Sequence, residues 1–170
     1  MNKKDKSIIL TYHTIGTLNN GEIGAELYSV SQENFRQQME YIVHRPSSLP
    51  CRQAGIIHHQ VLITFDDGDI TNYTTAYPIL KELGITAYFF ILVSKVGTPG
   101  YMNWEQIKEL RDKGMTIGSH GMTHRILTIL NDAEIESELK DSKKIMEDNL
   151  GVAIEYLSIP RGSYNKKIME

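Results

Sequence analysis

The 170-residue sequence has one cysteine, Cys51, and therefore lacks the pair that an internal disulfide requires. It also lacks a long hydrophobic run. The apolar stretch from Ile8 to Leu10 is too short for a signal-peptide core, and no stretch approaches the roughly 20 residues of a membrane-spanning helix. Positive charge is not in excess, because 18 Lys and Arg stand against 21 Asp and Glu. These absences predict a cytoplasmic protein with no membrane span and no nucleic-acid partner.

The remaining composition is that of an ordinary globular protein, with 41% hydrophobic and 23% charged residues. The length suits a single domain over residues 1–170. Short apolar runs alternate with amphipathic stretches, a pattern typical of an α/β fold with a mainly parallel sheet. Five strands are predicted: SIILTYH, VLITF, ITAYFFILV, MTIGSH and IEYLSIP. An open doubly wound sheet and a barrel both fit five such units, but the sequence stops inside a βα unit, which favours an interrupted barrel.

The stretches between these runs predict helices. Capping residues mark three helix starts: Ser31, Asn103 with Gln106, and Asn131 with Glu134. The helix in NYTTAYPILKELG should end at Gly84, and Pro78 marks either a kink or its first turn. The helix that starts at Asn131 should bury an apolar stripe: Ile135, Leu139, Met146 and Leu150.

Polar side chains follow several of the predicted strands, at the point where each strand ends. The candidates are His13, Asp66 with Asp67, His120 with His124, and Arg161 with Tyr164. Because the carboxyl ends of parallel strands are where α/β folds build their sites, we expect these side chains to share one site. Two histidines four residues apart, together with one carboxylate, can hold a metal ion and leave a position open for water.

Each of these features also has a simpler interpretation. Asp66 and Asp67 could cap the helix that starts near Asn72, because carboxylates are favourable at a helix N-terminus. A single pair such as His120 and His124 is often structural. From spacing alone, both interpretations stay open.

Three motifs, TFDDG, SHGMTH and IPRGSYN, resemble in sequence and order those of the polysaccharide deacetylases of carbohydrate esterase family four. Supporting stretches such as LTYHTIG, PILKELGITAYFF and WEQIKELRDKGMTIGSH extend the resemblance over nearly the whole chain. The resemblance implies a distorted, incomplete (β/α) barrel with its C-terminal strands missing. It also implies removal of N- or O-acetyl groups from an acetylated glycan with a divalent metal. Zinc is expected first, with cobalt, nickel or iron as alternatives.

The resemblance also implies roles for individual residues. Three of them would be metal ligands: Asp67, His120 and His124. Asp66 would be the base that activates the metal-bound water, and a backbone N–H near Arg161 would stabilise the oxyanion. His13 and Tyr164 are candidates for the pocket wall.

The sequence departs from the family pattern in two places. Arg161 stands where many members carry an aromatic residue, and the chain ends before the histidine that acts as general acid in the family. One alternative is therefore a catalytically impaired module that binds metal and sugar, and another is a metal-dependent amidase acting on a non-sugar amide. Missing strands would also leave an open edge through which copies could associate as a homo-oligomer. Members of the family are often secreted or envelope-associated.

Overall fold

The computed structural model describes residues 8–16, 25–44 and 61–169, so Cys51 lies outside the described residues. The strands are β1 (Ile8–Tyr12), β2 (Thr14–Ile15), β3 (Ser29–Val30), β4 (Val61–Phe65), β5 (Tyr88–Ile91) and β6 (Thr116–Ser119). The α-helices are α1 (Gln32–His44), α2 (Tyr77–Glu82), α3 (Trp104–Asp112), α4 (Asp132–Glu136), α5 (Ser142–Leu150) and α6 (Lys166–Met169).

Four of the strands form one parallel sheet in the order β1-β4-β5-β6. Four of the five predicted strands are therefore confirmed, although β5 has only four residues and is shorter than its apolar run. The sequence did not predict β2 and β3, which pair in parallel over two residues each and are too short to show a periodic pattern. Because all four main strands point the same way, their carboxyl ends lie along one edge of the sheet.

The prediction of a fifth regular strand in IEYLSIP is wrong. This segment pairs with β6 only through a single parallel bridge between Leu157 and Ser119. The Ser119 N–H donates to the Tyr156 carbonyl at 2.9 Å, and the Ser158 N–H donates to the Ser119 carbonyl at 3.0 Å. Beyond that point the ladder stops, because the Ser158 carbonyl binds a side chain of the site described below instead of β6.

Gly118 allows this segment to lie close to β6. A Cβ atom at Gly118 would lie 2.6 Å from the Phe90 ring and 2.9 Å from the Tyr156 carbonyl oxygen. Both distances are too short for real contacts, so a side chain here would push the segment away from the sheet.

The helix before β5 confirms the second interpretation of Pro78, the first turn of a helix. A π-helical turn spans Asn72–Ala76, and Pro78 then lies in the first turn of α2, where its missing N–H is not needed. The helix ends as predicted, with Gly84 in a left-handed conformation at φ 67°.

A second π-helical turn, Ser137–Asp141, joins α4 to α5 and changes which residues are buried. Both predicted capping boxes are present, at Asn103 and Asn131. The predicted stripe is only partly correct: Met146 and Leu150 are buried, whereas Ile135 and Leu139 are half-buried. The wider turn rotates the helix face, so that the polar side chains of Glu138 and Ser142 take buried positions instead.

The core between the sheet and the helices is built around a column of aromatic rings. Phe65 and Phe89 stack with their centroids 4.8 Å apart, and Tyr12 meets Phe35 of α1 edge-on at 5.1 Å. This packing fixes the strands that carry the candidate site. Across the three described ranges, every helix is too short or too polar to cross a membrane.

Candidate active site

The carboxyl ends of the strands open into a cleft of about 800 Å³. Six of the seven predicted site residues line it: His13, Asp66, Asp67, His120, His124 and Arg161. Tyr164 is not among the lining residues, and its side chain is 65% exposed. The structure therefore brings together all the candidates except Tyr164.

The two neighbouring aspartates at the end of β4 point in different directions. The Asp66 N–H continues the sheet by donating to the Tyr12 carbonyl at 2.9 Å. Asp67 and Gly68 then both adopt positive φ, at 70° and 79°, which turns the chain sharply. Asp66 is consequently buried at the cleft lining, whereas the side chain of Asp67 is 27% exposed.

Neither of these aspartates caps the following helix. Asp69 does so instead: its Oδ1 accepts from the Thr71 N–H at 2.8 Å and from the Thr71 hydroxyl at 2.5 Å. The capping interpretation that the sequence left open for Asp66 and Asp67 is therefore wrong, and both carboxylates are available to the cleft.

Asp67, His120 and His124 form a compact cluster. Asp67 Oδ1 lies 3.5 Å from His120 Nε2 and 3.6 Å from His124 Nε2, and all three ligand atoms lie within 4.8 Å of one another. A tetrahedral zinc ion with bonds of about 2.1 Å separates its ligands by about 3.4 Å. The cluster therefore fits a divalent metal ion in both donor type and spacing.

A backbone hydrogen bond orients the His120 ring on the side away from Asp67. The His120 side chain is 2% exposed, and its Nδ1 lies 2.9 Å from the carbonyl oxygen of Ser158. A carbonyl can only accept, so this contact requires the proton on Nδ1 and leaves the Nε2 lone pair directed towards Asp67. A hydrogen bond of this kind is the usual device by which proteins orient a metal-binding histidine.

His124 is held in a conformation that non-glycine residues seldom adopt, with φ at 65°. Burial lowers the pKa of His124, Asp67 opposes this, and the positive charges of His120, Arg161 and His13 add to the lowering. The lowered pKa favours the neutral imidazole, which is the form that binds a metal ion.

Asp66 is a buried carboxylate with few partners. Its side chain accepts one hydrogen bond, from the Ser158 hydroxyl to Oδ2 at 3.0 Å, and within the described ranges Oδ1 has none. Burial raises the pKa of Asp66, whereas His120, Ser158 and His13 act in the opposite direction. A carboxylate with a raised pKa beside a metal-binding cluster is suited to accepting a proton.

Residues 57–170, which are 114 of the 170 residues, match the family described as polysaccharide deacetylase. The chain belongs to the polysaccharide deacetylase family. It is 31% identical over 177 residues to YxkH of Bacillus subtilis (strain 168), a protein named provisionally as a polysaccharide deacetylase. That match covers 99% of this chain and 61% of YxkH. Membership of this family accounts for the presence of the aspartate pair and the histidine pair in one cleft.

Two further proteins that the chain resembles carry more specific names. The poly-beta-1,6-N-acetyl-D-glucosamine N-deacetylase of Staphylococcus aureus (strain MRSA252) is 27% identical over 96% of this chain and 67% of its own length. The solved structure of the Streptococcus pyogenes deacetylase PplD in complex with acetate superposes with a TM-score of 0.81. That alignment has 26% identity and covers 96% of this chain and 77% of PplD. The predicted deacetylase fold is thus confirmed.

The chain also has a site residue that the sequence did not reveal. Glu138 is 5% exposed, and its carboxylate binds the loop between His120 and His124. In the sequence it is one of several glutamates on an amphipathic helix, with no signal to separate it from the solvent-exposed ones. Only the π-helical turn buries it.

Proposed function

We propose that this chain carries the catalytic region of a metal-dependent deacetylase that hydrolyses the acetamide of an acetylated glycan. The observation that carries the proposal is the cluster of Asp67, His120 and His124 beside the buried carboxylate of Asp66. Water adds to the acetyl carbonyl carbon and the C–N bond breaks, so the products are acetate and a sugar amine.

In this proposal Asp67, His120 and His124 hold a divalent ion, with zinc as the first choice and cobalt, nickel or iron as alternatives. Such an ion would supply Lewis-acid chemistry, lowering the pKa of water and polarising a carbonyl oxygen. The hydrogen bond from His120 Nδ1 to Ser158 keeps the ligand atom of this imidazole correctly aimed.

Asp66 acts as the general base. Its Oδ1 has no hydrogen-bond partner among the residues that the structure describes, so it is free to accept a proton from the attacking water. Burial raises the pKa of Asp66 and makes it a stronger base than an exposed aspartate. Asp67 is adjacent in sequence but points into the cluster, so the two carboxylates do not compete for one position.

Two roles remain, stabilisation of the oxyanion and protonation of the leaving amine, and we assign them to residues that line the cleft. The backbone N–H of Arg161 donates to the carbonyl oxygen as negative charge develops there. His13 lines the same cleft, and its charge acts on both Asp66 and His124. We assign it the delivery of a proton to the leaving amine, because histidine is the side chain best suited to proton transfer near neutral pH.

The substrate class follows from the cleft and from the relatives. Tyr28 is 62% exposed at the cleft wall, with its ring 5.3 Å from that of His13, and an exposed aromatic face of this kind suits a sugar ring. Because the Staphylococcus aureus relative is named for poly-beta-1,6-N-acetyl-D-glucosamine, a polymer of N-acetylglucosamine is our first choice of substrate.

The test is acetate release from N-acetylglucosamine oligomers by the purified chain, with and without a chelator. We expect metal-dependent release and a loss of about 10²- to 10⁴-fold in Asp66→Asn, which removes the base. Asp69→Asn is the matched control, because Asp69 lines the cleft but serves as a helix cap.

Each other outcome rejects a specific part of the proposal. Release that a chelator does not affect would contradict metal dependence. Full activity of Asp66→Asn would contradict the assignment of the base. Metal binding without any release would favour the non-catalytic sugar-binding module, and equal release from simple amides would favour an amidase.

A further inference from the structure

The loop that carries both histidines, residues 120–124, packs against the π-helical turn between α4 and α5 (Ser137–Asp141). Glu138 projects from this turn and is 5% exposed. No lysine, arginine or histidine in the described ranges forms an ion pair with it. Its hydrogen-bond partners are neutral groups, and all of them belong to the loop.

Three hydrogen bonds join Glu138 to the loop. Oε2 accepts from the Met122 N–H at 3.0 Å and from the Thr123 N–H at 2.9 Å, and Oε1 accepts from the Thr123 hydroxyl. Gly121 starts the turn of the loop beside the carboxylate with φ at 81°, a conformation that favours glycine. Hydrogen bonds to an ionised acceptor are about twice as strong as neutral ones.

These bonds act on the segment between the two histidines. His124 directly follows Thr123 and has a left-handed backbone at φ 65°, a conformation that costs roughly 1–2 kcal/mol in a non-glycine residue. Such a conformation persists only where its surroundings fix it, and Glu138 binds the residue immediately before it. The loop geometry is thus set by the helix as well as by β6.

From these contacts we infer that Glu138 is a positioning residue: it fixes the loop so that the imidazoles of His120 and His124 converge on Asp67. The inference rests on the proposed metal site and adds a residue that never touches the metal. It predicts that removing the carboxylate lowers metal affinity even when the protein still folds. A residue with a purely structural role would lower stability without a specific effect on metal binding.

The experiment measures zinc affinity of the metal-free full chain by competition with a chromophoric chelator, and the cobalt-substituted absorption spectrum reports ligand geometry. In Glu138→Ala we expect zinc affinity to fall about 10- to 100-fold and the cobalt spectrum to change. In Glu138→Gln we expect affinity within a few-fold of wild type. The amide oxygen can accept both backbone N–H groups, and the amide nitrogen can donate to the Thr123 hydroxyl.

Glu147→Ala is the matched control. Glu147 lies on α5 and also accepts a backbone hydrogen bond, from the Ile154 N–H at 2.9 Å, but it does not contact the loop. We expect this variant to lose stability in the metal-free state and to keep wild-type zinc affinity. Should Glu138→Ala fail to fold, Glu138→Asp replaces it, since a side chain one methylene shorter should also lower zinc affinity.

Several results would overturn the inference. They are wild-type affinity in Glu138→Ala or in its replacement, an equal loss of affinity in Glu147→Ala, and a loss in Glu138→Gln as large as in Glu138→Ala. Failure of the wild-type chain to bind zinc would refute the proposed metal site itself, and this inference with it. Zinc binding by wild type with no effect of Glu138→Ala would refute this inference alone.

Discussion

Ser158 connects the proposed base to a proposed metal ligand, and Ser158→Ala separates these two contacts. Its hydroxyl donates to Asp66 Oδ2 at 3.0 Å, whereas its carbonyl oxygen accepts from His120 Nδ1 at 2.9 Å. Substitution by alanine removes the first bond and keeps the second. We therefore expect a change in the proton affinity of Asp66 without a change in the affinity for zinc.

The magnitude follows from the only hydrogen bond that the Asp66 side chain accepts within the described ranges. A hydrogen bond to a charged group contributes about 1.5–3 kcal/mol, and the lower end applies to a partly buried bond. Because about 1.4 kcal/mol corresponds to a factor of ten, the acidic limb of the kcat/KM profile should move to higher pH by about one unit. Its direction follows from the pKa of Asp66, which burial already raises and which loss of a donor raises further.

The same substitution has a consequence for stability. A carboxyl group whose pKa is raised in the folded state binds its proton more tightly there than in the unfolded chain. Its contribution to stability is therefore largest below the unfolded pKa and falls as pH rises through the folded pKa. In metal-free Ser158→Ala, urea unfolding should show that the loss of stability relative to wild type grows as the solution becomes less acidic.

Ser163→Ala is the control for these experiments. Ser163 lies five residues further along, and its hydroxyl contacts Thr128 Oγ1 at 2.8 Å rather than the base. An acidic limb that stays in place in Ser158→Ala, or moves equally in Ser163→Ala, would refute the assignment of Asp66. A large loss of zinc affinity in Ser158→Ala would refute the separation of its two contacts.

Three further substitutions test the geometry of the cleft. In His120→Ala, the thermal stabilisation by zinc should vanish. In the wild-type chain, free zinc at 100 times its Kd should stabilise the folded state by about 2.7 kcal/mol. Stabilisation of the variant by zinc would contradict the assignment of His120 as a ligand. Arg161→Gly should change stability in urea unfolding by no more than about 1 kcal/mol, because glycine relieves the left-handed backbone at φ 58°. It should also keep acetate release, since the backbone N–H remains; a large loss of release would transfer the role to the side chain. Gly118→Ala should destabilise the chain by about 1–3 kcal/mol and lower zinc affinity, because its Cβ would push Tyr156 and then Ser158 away from the sheet. Wild-type stability in this variant would show that the segment does not need its close approach.

Local sequence signals predicted much of the fold. Each of the four confirmed strands is an apolar run followed at once by polar or turn residues, and both capping boxes depend only on residues three positions apart. The grouping of Asp66 and Asp67 with His120 and His124 could also be predicted, because parallel strands bring their carboxyl ends together. Tyr164 was expected on the same basis but lies outside the cleft lining, since the segment before it does not continue as a strand.

The features that the sequence did not predict depend on contacts between distant residues. IEYLSIP has the composition of a strand, but its Ser158 carbonyl accepts from the side chain of His120, which is 38 positions away in the chain, instead of continuing the ladder with β6. The periodicity of an ordinary α-helix places Glu138 on the solvent-exposed face. The inserted π-helical turn rotates its side chain inward. Neither the partner of Ser158 nor the wider turn leaves a periodic trace in the sequence.

The backbone strain of the chain is concentrated where the chemistry is proposed. Within the described ranges, the non-glycine residues with positive φ are Asp67, His124 and Arg161, and all three line the cleft. For Asp67 the unusual φ separates it from Asp66, so that one carboxylate faces the histidines while the other stays buried with a raised pKa. An extended backbone would also send the two side chains to opposite faces, but it would continue the strand past the cleft. The left-handed turn keeps both carboxylates at the edge of the sheet, and this is why one short motif can hold both the proposed metal ligand and the proposed base.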